Sequence, residues 1–271
     1  MAQTHYQFSP IDVPGAIGTE ANGNSTHAIA GEVDDANGDP LYGFVLKNGS
    51  FTPIRYPNAA TTSINGINAP GQLVGTYVDN LGTSHAFFDN NGSFMTLDPV
   101  VPSVRSQGGS INARGQVVGT YRDKNQYRHG FIWFNGTFTT FNVPGDLSPA
   151  GTVAFGINDS GAVVGDYADA KSGNRQGFLR SSNGTFTTFN APDAAITIGE
   201  GINNAGTIVG VYLDKNFNMH GFVLNNGHFT TVDVPSTSGT QINSINAIGE
   251  IVGYYNDFNG GTHGFLGVAP Q

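Results

Sequence analysis

The sequence contains no cysteine, which excludes disulfide bonds and thiolate metal sites. Basic residues are scarce as well, with 11 Lys and Arg against 20 acids and a formal net charge of −9. Without a basic stripe, nucleic acid and anionic membrane surfaces are not expected as partners. No apolar run approaches the roughly 18 residues of a membrane-spanning helix, so we expect no membrane insertion. Residues 1–4 lack the basic and apolar regions of a signal peptide, and we expect none in this chain.

Glycine, in contrast, is abundant, with 39 copies in 271 residues. Aromatic residues make up 11% of the chain and recur at regular intervals. Glycine reaches the backbone conformations that tight turns require. The combination favours many short strands joined by tight turns.

A repeat of about 45 residues fills the chain. Its core reads Gly-Ile-Asn, then a glycine turn, then Ile/Val-Val-Gly-x-Tyr-x-Asp, most clearly at residues 201–214. The central glycines of this core are 43–46 residues apart: Gly31, Gly75, Gly119, Gly165, Gly210 and Gly253. One phenylalanine follows each glycine in a second motif: Phe44, Phe87, Phe131, Phe178, Phe222 and Phe265.

Each repeat offers four short strands, named A to D in chain order. In the fifth copy they are predicted near residues 198–203, 207–213, 220–224 and 229–234, with an Asn-Gly hairpin turn between C and D. Four antiparallel strands in a repeat of this length are typical of a propeller blade. The sequence therefore predicts an all-β, six-bladed β-propeller.

The two ends of the chain predict how the ring closes. Residues 8–14 match a strand D with no A, B or C before it, and the last copy stops after strand C. Pairing of residues 6–14 with the blade at 241–267 would complete that blade and make residues 1–271 one propeller domain. A parallel β-helix is the main rival, but its coils are usually shorter and its strands lack hairpin turns, and an open solenoid would need capping repeats.

Residues that recur in most blades are predicted to be scaffold. An asparagine seven residues before each central glycine is expected to bind the backbone of the A–B turn, with an ion-holding ring in the channel as the alternative: Asn24, Asn68, Asn112, Asn158, Asn203 and Asn246. An aspartate is expected to cap each B–C turn: Asp34, Asp79, Asp123, Asp169, Asp214 and Asp257. A structural role is also expected for the strand C histidines: His85, His129, His220 and His263.

No metal or other cofactor is predicted. Residues 34–39 resemble a calcium loop but lack the bidentate glutamate of an EF-hand at the right spacing. Calcium at this loop stays open as the alternative.

In a propeller the D–A and B–C loops share one end of the channel, called here the loop face. The candidate ligand-binding residues of the B–C loops suit stacking on sugars or peptides, unless they pack onto neighbouring blades: Tyr127, Arg128, Phe217 and Phe258. The D–A loops, which vary most between blades, add Arg105 and Asp146.

Two of the four glutamates, Glu20 and Glu200, match within one residue in the repeat frame, near the channel mouth. Paired carboxylates serve as general acid and base in glycoside hydrolysis, so these two, with Arg105, are the candidates if the protein is an enzyme. The plainer alternative is that both are solvated loop acids. No nucleophile elbow, phosphate loop or zinc-protease motif is present, which makes catalysis the less favoured class.

The segment Ser84-His85-Ala86-Phe87, with the Gly-Ile-Asn and Val-Gly-x-Tyr motifs, resembles a bacterial repeat family, the extracellular HAF repeat. The resemblance covers nearly the whole chain, although Tyr42 and Gln176 replace the histidine in two blades. It implies an extracellular or periplasmic location and no catalytic residue.

These features together predict a non-catalytic, monomeric binding module. Its ligand would be a glycan or a peptide at the channel mouth on the loop face. The alternatives are a propeller hydrolase or lyase acting on a glycan, and a structural surface repeat protein. Fold alone does not decide between them.

Overall fold

The computed structural model describes residues 6–35, 37–99, 105–146, 149–169 and 173–270, and within these ranges it contains 24 strands and no helix. The strands form six four-stranded antiparallel sheets arranged as a six-bladed β-propeller. The predicted fold class is therefore confirmed.

The innermost strand of each blade, strand A, contacts the innermost strands of both neighbouring blades and so encloses the channel. These strands, numbered in chain order with all others, are β2 (Gly18–Asn24), β6 (Thr61–Ile67), β10 (Arg105–Ile111), β14 (Thr152–Ile157), β18 (Ile196–Ile202) and β22 (Gly239–Ile245). The second strands are β3 (Ile29–Asp34), β7 (Leu73–Val78), β11 (Val117–Arg122), β15 (Val163–Ala168), β19 (Ile208–Leu213) and β23 (Ile251–Asn256).

The outer half of each blade is formed by strands C and D. The third strands are β4 (Pro40–Lys47), β8 (Ser84–Asp89), β12 (Arg128–Phe134), β16 (Arg175–Arg180), β20 (Met219–Asn225) and β24 (Thr262–Val268). The outermost strands are β1 (Gln7–Ile11), β5 (Ser50–Ile54), β9 (Phe94–Thr96), β13 (Thr137–Phe141), β17 (Phe186–Phe189) and β21 (His228–Thr231).

The first strand closes the ring, as the sequence predicts. β1 pairs antiparallel with β24, from Gln7 opposite Val268 to Ile11 opposite Gly264. This contact joins the two ends of the chain in one sheet of order β1-β24-β23-β22. The sixth blade is therefore built from both termini.

The core consists of six apolar clusters, each shared by two adjacent blades. The paired valines of strand B show why, because Val117 packs with residues of blades two and three while Val118 packs with residues of blade four. Consecutive strand residues face opposite sides of a sheet, and here both sides are buried. The six repeat phenylalanines of strand C are each at most 1% exposed and fill these clusters.

Five of the six repeat asparagines hold the A–B turns and also link the blades. The Asn158 side-chain oxygen accepts hydrogen bonds from Ser160 N (3.1 Å) and Ala162 N (3.0 Å), and its Nδ2 donates to the Asn203 carbonyl at 3.1 Å. Equivalent interblade bonds run from Asn68, Asn112, Asn203 and Asn246 to the next blade. The scaffold prediction is thus correct for these five.

In the first blade the predicted frame is wrong by one residue. The A–B turn is one residue shorter there, and Ser25, not Asn24, accepts the turn hydrogen bond from Ala28 N. Asn24 instead ends β2 and lines the channel. The B–C turn shows the same slip, because Asp35, not Asp34, accepts from Asn37 N and Asp39 N. Asp34 is buried at the end of β3.

The four strand C histidines fasten the outer strand to the B–C loop. His85 lies 3.0 Å from Asp98 through Nδ1 and 3.5 Å from Asp79 through Nε2, and its ring stacks on Tyr77. His220 and His263 bridge two aspartates in the same manner, whereas His129 uses Asn142 and Asp123. These contacts give the four histidines the structural role that the sequence predicts.

Candidate ligand-binding cavity and loop-face rim

A cavity of about 450 Å³ lies on the channel axis and is lined by residues of all six blades. Its walls are shaped by a β-bulge at the same place in every strand A. A bulge re-aims a side chain, and all six bulge residues line the cavity: Asn22, Asn65, Gly109, Phe155, Glu200 and Asn243. The six bulge residues thus form a ring whose position is set by the repeat, while the side chain at each position differs from blade to blade.

Glu20 and Glu200 both line this cavity, as the channel-mouth hypothesis requires. Their positions are not equivalent, because Glu20 precedes the first-blade bulge at Asn22 by two residues and corresponds to Ile198 in the fifth blade. The one-residue match read from the sequence is therefore corrected to two. Both residues are partly exposed on the channel wall.

A third carboxyl, Glu32, completes the acidic lining and was missed by sequence reasoning. It follows the central glycine of β3, lies opposite Glu20 in the sheet register and is 9% exposed. The corresponding residue differs in every blade except for a pair of threonines: Thr76, Thr120, Asp166, Val211 and Tyr254. A variable residue directly after a constant glycine was the sequence signal that could have identified Glu32 as a cavity residue.

Burial raises the pKa of all three glutamates above the ordinary value of 4.5. For Glu20, burial and the nearby Glu32, Asp34 and Glu200 raise the pKa to about 9. Burial and Asp166 raise the pKa of Glu200 to about 8 against the opposing effect of Arg175. The pKa of Glu32 rises only to about 7, because the polar side chains of Ser63 and Asn22 partly offset its burial. Near neutral pH the cavity therefore presents protonated carboxyls beside a titrating one.

Two buried acceptor atoms on the cavity wall have no hydrogen-bond partner among the described residues. They are Glu32 Oε2 and Asn24 Oδ1. Both residues line the cavity and are at most 9% exposed. Buried polar groups are normally paired, so these two atoms mark the place where a donor is missing.

The cavity floor is a ring formed by the last residue of each strand A: Asn24, Ile67, Ile111, Ile157, Ile202 and Ile245. The same ring lines a second cavity of about 140 Å³ on its other side, surrounded by the A–B turns. Five isoleucines thus separate the two cavities with apolar surface. The larger cavity lies on the loop-face side of this ring.

A buried ion pair stands behind the acidic lining. Asp166 on β15 is fully buried and pairs with Arg175, and burial raises its pKa despite this partner. Arg128, a predicted ligand-binding residue, is half-buried near the same pair, and its burial, with Arg122 and Arg175 nearby, lowers its pKa. Arg128 therefore lies among the charged groups around Asp166 and not in the cavity lining.

The remaining predicted site residues lie on the loop face, outside the cavity lining. Phe217 is 68% exposed, Phe258 is 75% exposed and Tyr127 is 39% exposed, so all three present aromatic surface. Arg105 is exposed at the start of β10, opposite Arg122, and is not brought together with the two glutamates. Asp146 accepts a hydrogen bond from Thr152 Oγ1 at 2.8 Å and so braces its D–A loop.

Phe217 has an unusual backbone conformation. It adopts φ +63°, the left-handed region that favours glycine. The corresponding residue of the B–C turn is a left-handed glutamine, Gln126, in the third blade and a left-handed glycine in the other four: Gly38, Gly82, Gly173 and Gly260. A bulky aromatic residue is strained in this conformation, and its exposed ring adds nothing to the turn.

The described ranges contain no cluster of three or more His, Cys, Asp or Glu side chains arranged to hold a metal ion. In the loop at residues 34–39, Asp35 uses its carboxylate for the turn, and residue 36 lies outside the described residues. Calcium binding there stays an untested alternative. Likewise, no helix in the described part of the chain is long and apolar enough to cross a membrane.

Comparison with known proteins shows the fold. No family model and no curated protein matches the chain, so membership of the HAF repeat family is not shown. A putative TolB from Agrobacterium tumefaciens is 11% identical with a TM-score of 0.63, covering 93% of this chain and 91% of that one. An Aleuria aurantia lectin mutant in complex with α-methyl-L-fucoside is 12% identical with a TM-score of 0.57, covering 91% and 90%. The propeller domain of the Trilobed protease from Pyrococcus furiosus is 8% identical with a TM-score of 0.54, covering 92% and 94%.

The chain shares their β-propeller fold. At these identities the likeness carries no active site and no ligand across to this protein.

We expect the stability of the protein to fall as the pH rises from about 5 to about 9. The folded state holds protons on Glu20, Glu32 and Glu200 more tightly than the unfolded chain does, since their pKa values are raised to about 9, 7 and 8. Stability from this source is complete below about pH 4 and is lost as the pH passes the folded values. Melting temperatures measured across this range should fall by several degrees, and Glu20→Gln should flatten the fall.

The matched control is Glu250→Gln, which changes the one glutamate outside the cavity lining. This variant should keep the pH profile of the unaltered protein. A melting temperature that rises towards pH 9, or a Glu20→Gln profile as steep as that of the unaltered protein, would contradict the assignment.

Proposed function

We propose that the protein is a non-catalytic carbohydrate-binding module whose site is the aromatic rim of the loop face. The observation that carries the proposal is Phe217, 68% exposed and held at φ +63° where most blades have glycine. Strained backbone residues are concentrated at functional sites, so the exposed ring of Phe217 is a candidate for ligand contact. Aromatic faces of this kind stack on the apolar faces of sugar rings.

The rim presents three exposed aromatic rings. Phe258 and Tyr127 project from the B–C loops of other blades on the same face as Phe217. The B–C turns that present these rings are fixed by aspartates, as where Asp214 accepts hydrogen bonds from Asn216 N and Asn218 N. Rings on rigid turns lose little conformational freedom when a ligand stacks on them.

A fungal lectin with the same fold supports the choice of a carbohydrate over a peptide. The solved structure is that of a mutant of this lectin in complex with α-methyl-L-fucoside. Its identity to this chain is 12%, so the sugar it binds is not transferred to this protein. A peptide is the competing ligand class and is an outcome of the test below.

Replacing Phe217 with glycine is expected to stabilise the protein and weaken glycan binding. The substitution removes the left-handed strain and raises the free energy of unfolding by about 1 kcal/mol. It also removes the stacking ring, so the glycan-array signal should fall at least tenfold. Urea denaturation and the array together measure the two opposite effects.

The matched control is Ile248→Ala, which removes a comparably exposed apolar side chain (69%) from an A–B turn at the opposite end of the channel. Its array signal should equal that of the unaltered protein. Undiminished glycan binding by Phe217→Gly, or binding to peptides but to no glycan, would refute the proposal. Absence of any ligand would favour a structural surface protein.

Glycan cleavage is the second candidate, favoured by Glu20 and Glu200 lining one cavity with Glu32 opposite Glu20. Carboxyls with different pKa values are the groups that acid–base hydrolysis uses. Shortening of a bound polysaccharide, abolished by Glu200→Gln, would establish it. Arg105 lies outside that cavity lining and would act only from the rim.

We further propose an extracellular or periplasmic location and a monomeric state. The location is supported by the resemblance of the strand C tripeptides to the extracellular repeat. Cell fractionation tests the location and light scattering tests the monomer. Recovery of the protein in the cytoplasmic fraction would refute the proposed location.

A further inference from the structure

The axial cavity differs in chemistry from the aromatic rim. Of the four glutamates in the chain, three line it, and the described residues of its lining include no lysine, arginine or histidine. Amide side chains from four blades add further polar groups: Asn22, Asn65, Gln107, Gln241 and Asn243. The wall is therefore rich in hydrogen-bond acceptors and lacks fixed positive charge.

The two unpartnered acceptors show what the cavity lacks. Glu32 Oε2 and Asn24 Oδ1 are buried on its wall without a donor among the described residues. A ligand that enters must bring N–H or O–H groups to them, and a charge-assisted bond from an ammonium to a carboxylate is stronger than a neutral one. An ammonium group is therefore the donor that would form the strongest bond of this kind with Glu32 Oε2.

The size and floor of the cavity favour an organic ligand over a bare ion. About 450 Å³ is within the range of small-molecule sites. The isoleucine ring beneath gives the ligand an apolar surface to cover, which a hydrated metal ion would not use. In such a ligand the amino group would face the glutamates and the carbon skeleton would cover the isoleucine floor.

We propose that the axial cavity binds a small primary amine, such as an amino sugar or a diamine, with its ammonium group on Glu32. The site is separate from the aromatic rim and does not depend on glycan binding there.

Binding of the ammonium should release protons. The titratable groups around the three cavity glutamates are Asp34 on β3, Tyr254 on β23 and Asp166 on β15, which is paired with Arg175 on β16. All three cavity glutamates have raised pKa values without a ligand, and a cation placed among them favours their charged forms. Protons bound by the empty cavity therefore leave as the amine enters.

The test is titration calorimetry at about pH 6.5, where both amines are largely protonated, with glucosamine and 1,4-diaminobutane, each compared with its neutral counterpart, glucose or 1,4-butanediol. At least one amine should bind at least tenfold more tightly than its neutral counterpart. Its apparent enthalpy should change between buffers of different ionisation enthalpy in the direction of proton release. Calcium chloride is titrated in parallel.

Three variants separate the cavity from other acidic groups. Glu32→Gln should weaken amine binding at least tenfold, while Glu250→Gln should leave it unchanged. Ile198→Lys places a tethered ammonium on the cavity wall at the level of Glu20, and it should abolish amine binding while the circular dichroism spectrum is retained.

The proposal is overturned if neither amine binds at millimolar concentration, or if the neutral counterparts bind as tightly. It is equally overturned if Glu32→Gln binds like the unaltered protein, or if calcium alone binds and Glu32→Gln removes it. Phe217→Gly should leave amine binding unchanged, so failure of the cavity proposal and failure of the glycan proposal give different results.

Discussion

Deleting residues 1–14 is expected to abolish the cooperative unfolding of this protein. The deletion removes β1, which pairs with β24 through five residue pairs. It also removes Ile11 from the cluster between blades six and one, and Phe8 from its edge-to-face contact with Phe265 at 5.3 Å. The fold is a ring, so loss of one strand exposes the faces of two blades at once.

The size of the effect follows from the parts lost. Burying side chains such as Ile11 and Phe8 contributes about 1.5–3 kcal/mol each. The ladder hydrogen bonds between β1 and β24 contribute about 1 kcal/mol each. Together these amount to about 5–10 kcal/mol, which is comparable to the whole stability of a typical domain.

Thermal unfolding followed by circular dichroism and calorimetry measures this prediction. The matched control deletes residues 1–5 only, which end before β1 begins at Gln7. The control should melt like the full chain. Closure of the ring by β1 would be refuted by a 1–14 deletion that melts as sharply and at the same temperature.

Replacing Gly210 with alanine is expected to cost about 3 kcal/mol or more of unfolding free energy. A Cβ atom at Gly210 would lie 2.0 Å from the Ile198 carbonyl oxygen and 2.9 Å from the Phe222 ring. Neither the backbone of β18 nor the fully buried Phe222 can move without disturbing the neighbouring blade. All six central glycines are in this position, with a Cβ 1.9–2.3 Å from a strand A carbonyl oxygen.

Gly227→Ala is the matched control. Gly227 lies in a C–D hairpin with φ +78°, and no atom lies within 4 Å of the place that an alanine Cβ would occupy, so only backbone strain opposes alanine there. That strain costs about 1–2 kcal/mol. Urea midpoints at unchanged slope measure both variants. Equal losses in the two would show that close packing is not the reason for the central glycine.

The central glycine also explains why the repeat could be read from the sequence. Each blade needs the same close approach of strands A and B, so the same residue returns at every 43–46 positions. The strand count, the four-stranded blade and the clasp by β1 all follow from that period and from where it starts and stops. These features depend on local pattern, which a sequence displays directly.

The first blade shows where pattern reading fails. Asn24 stands seven residues before Gly31, like the turn asparagines, yet the shorter turn at Ser25 moves it to the isoleucine ring of the channel. Asp34 is displaced in the same way into a buried position, where burial raises its pKa to about 6. Spacing alone does not distinguish a shortened turn from an intact one, because the hydrogen bonds that define the turn are not visible in the sequence.

The repeat period and the order of motifs at the chain ends are enough to predict six blades of four strands, closed by the first strand, with histidines, asparagines and aspartates as recurrent scaffold. The three-dimensional arrangement was needed to see that Glu20, Glu32 and Glu200 share one cavity and that Arg105 lies outside its lining. This is because a repeat period specifies contacts within a blade and between neighbours. Which side chains meet on the axis depends on bulges, turn lengths and the curvature of the whole ring.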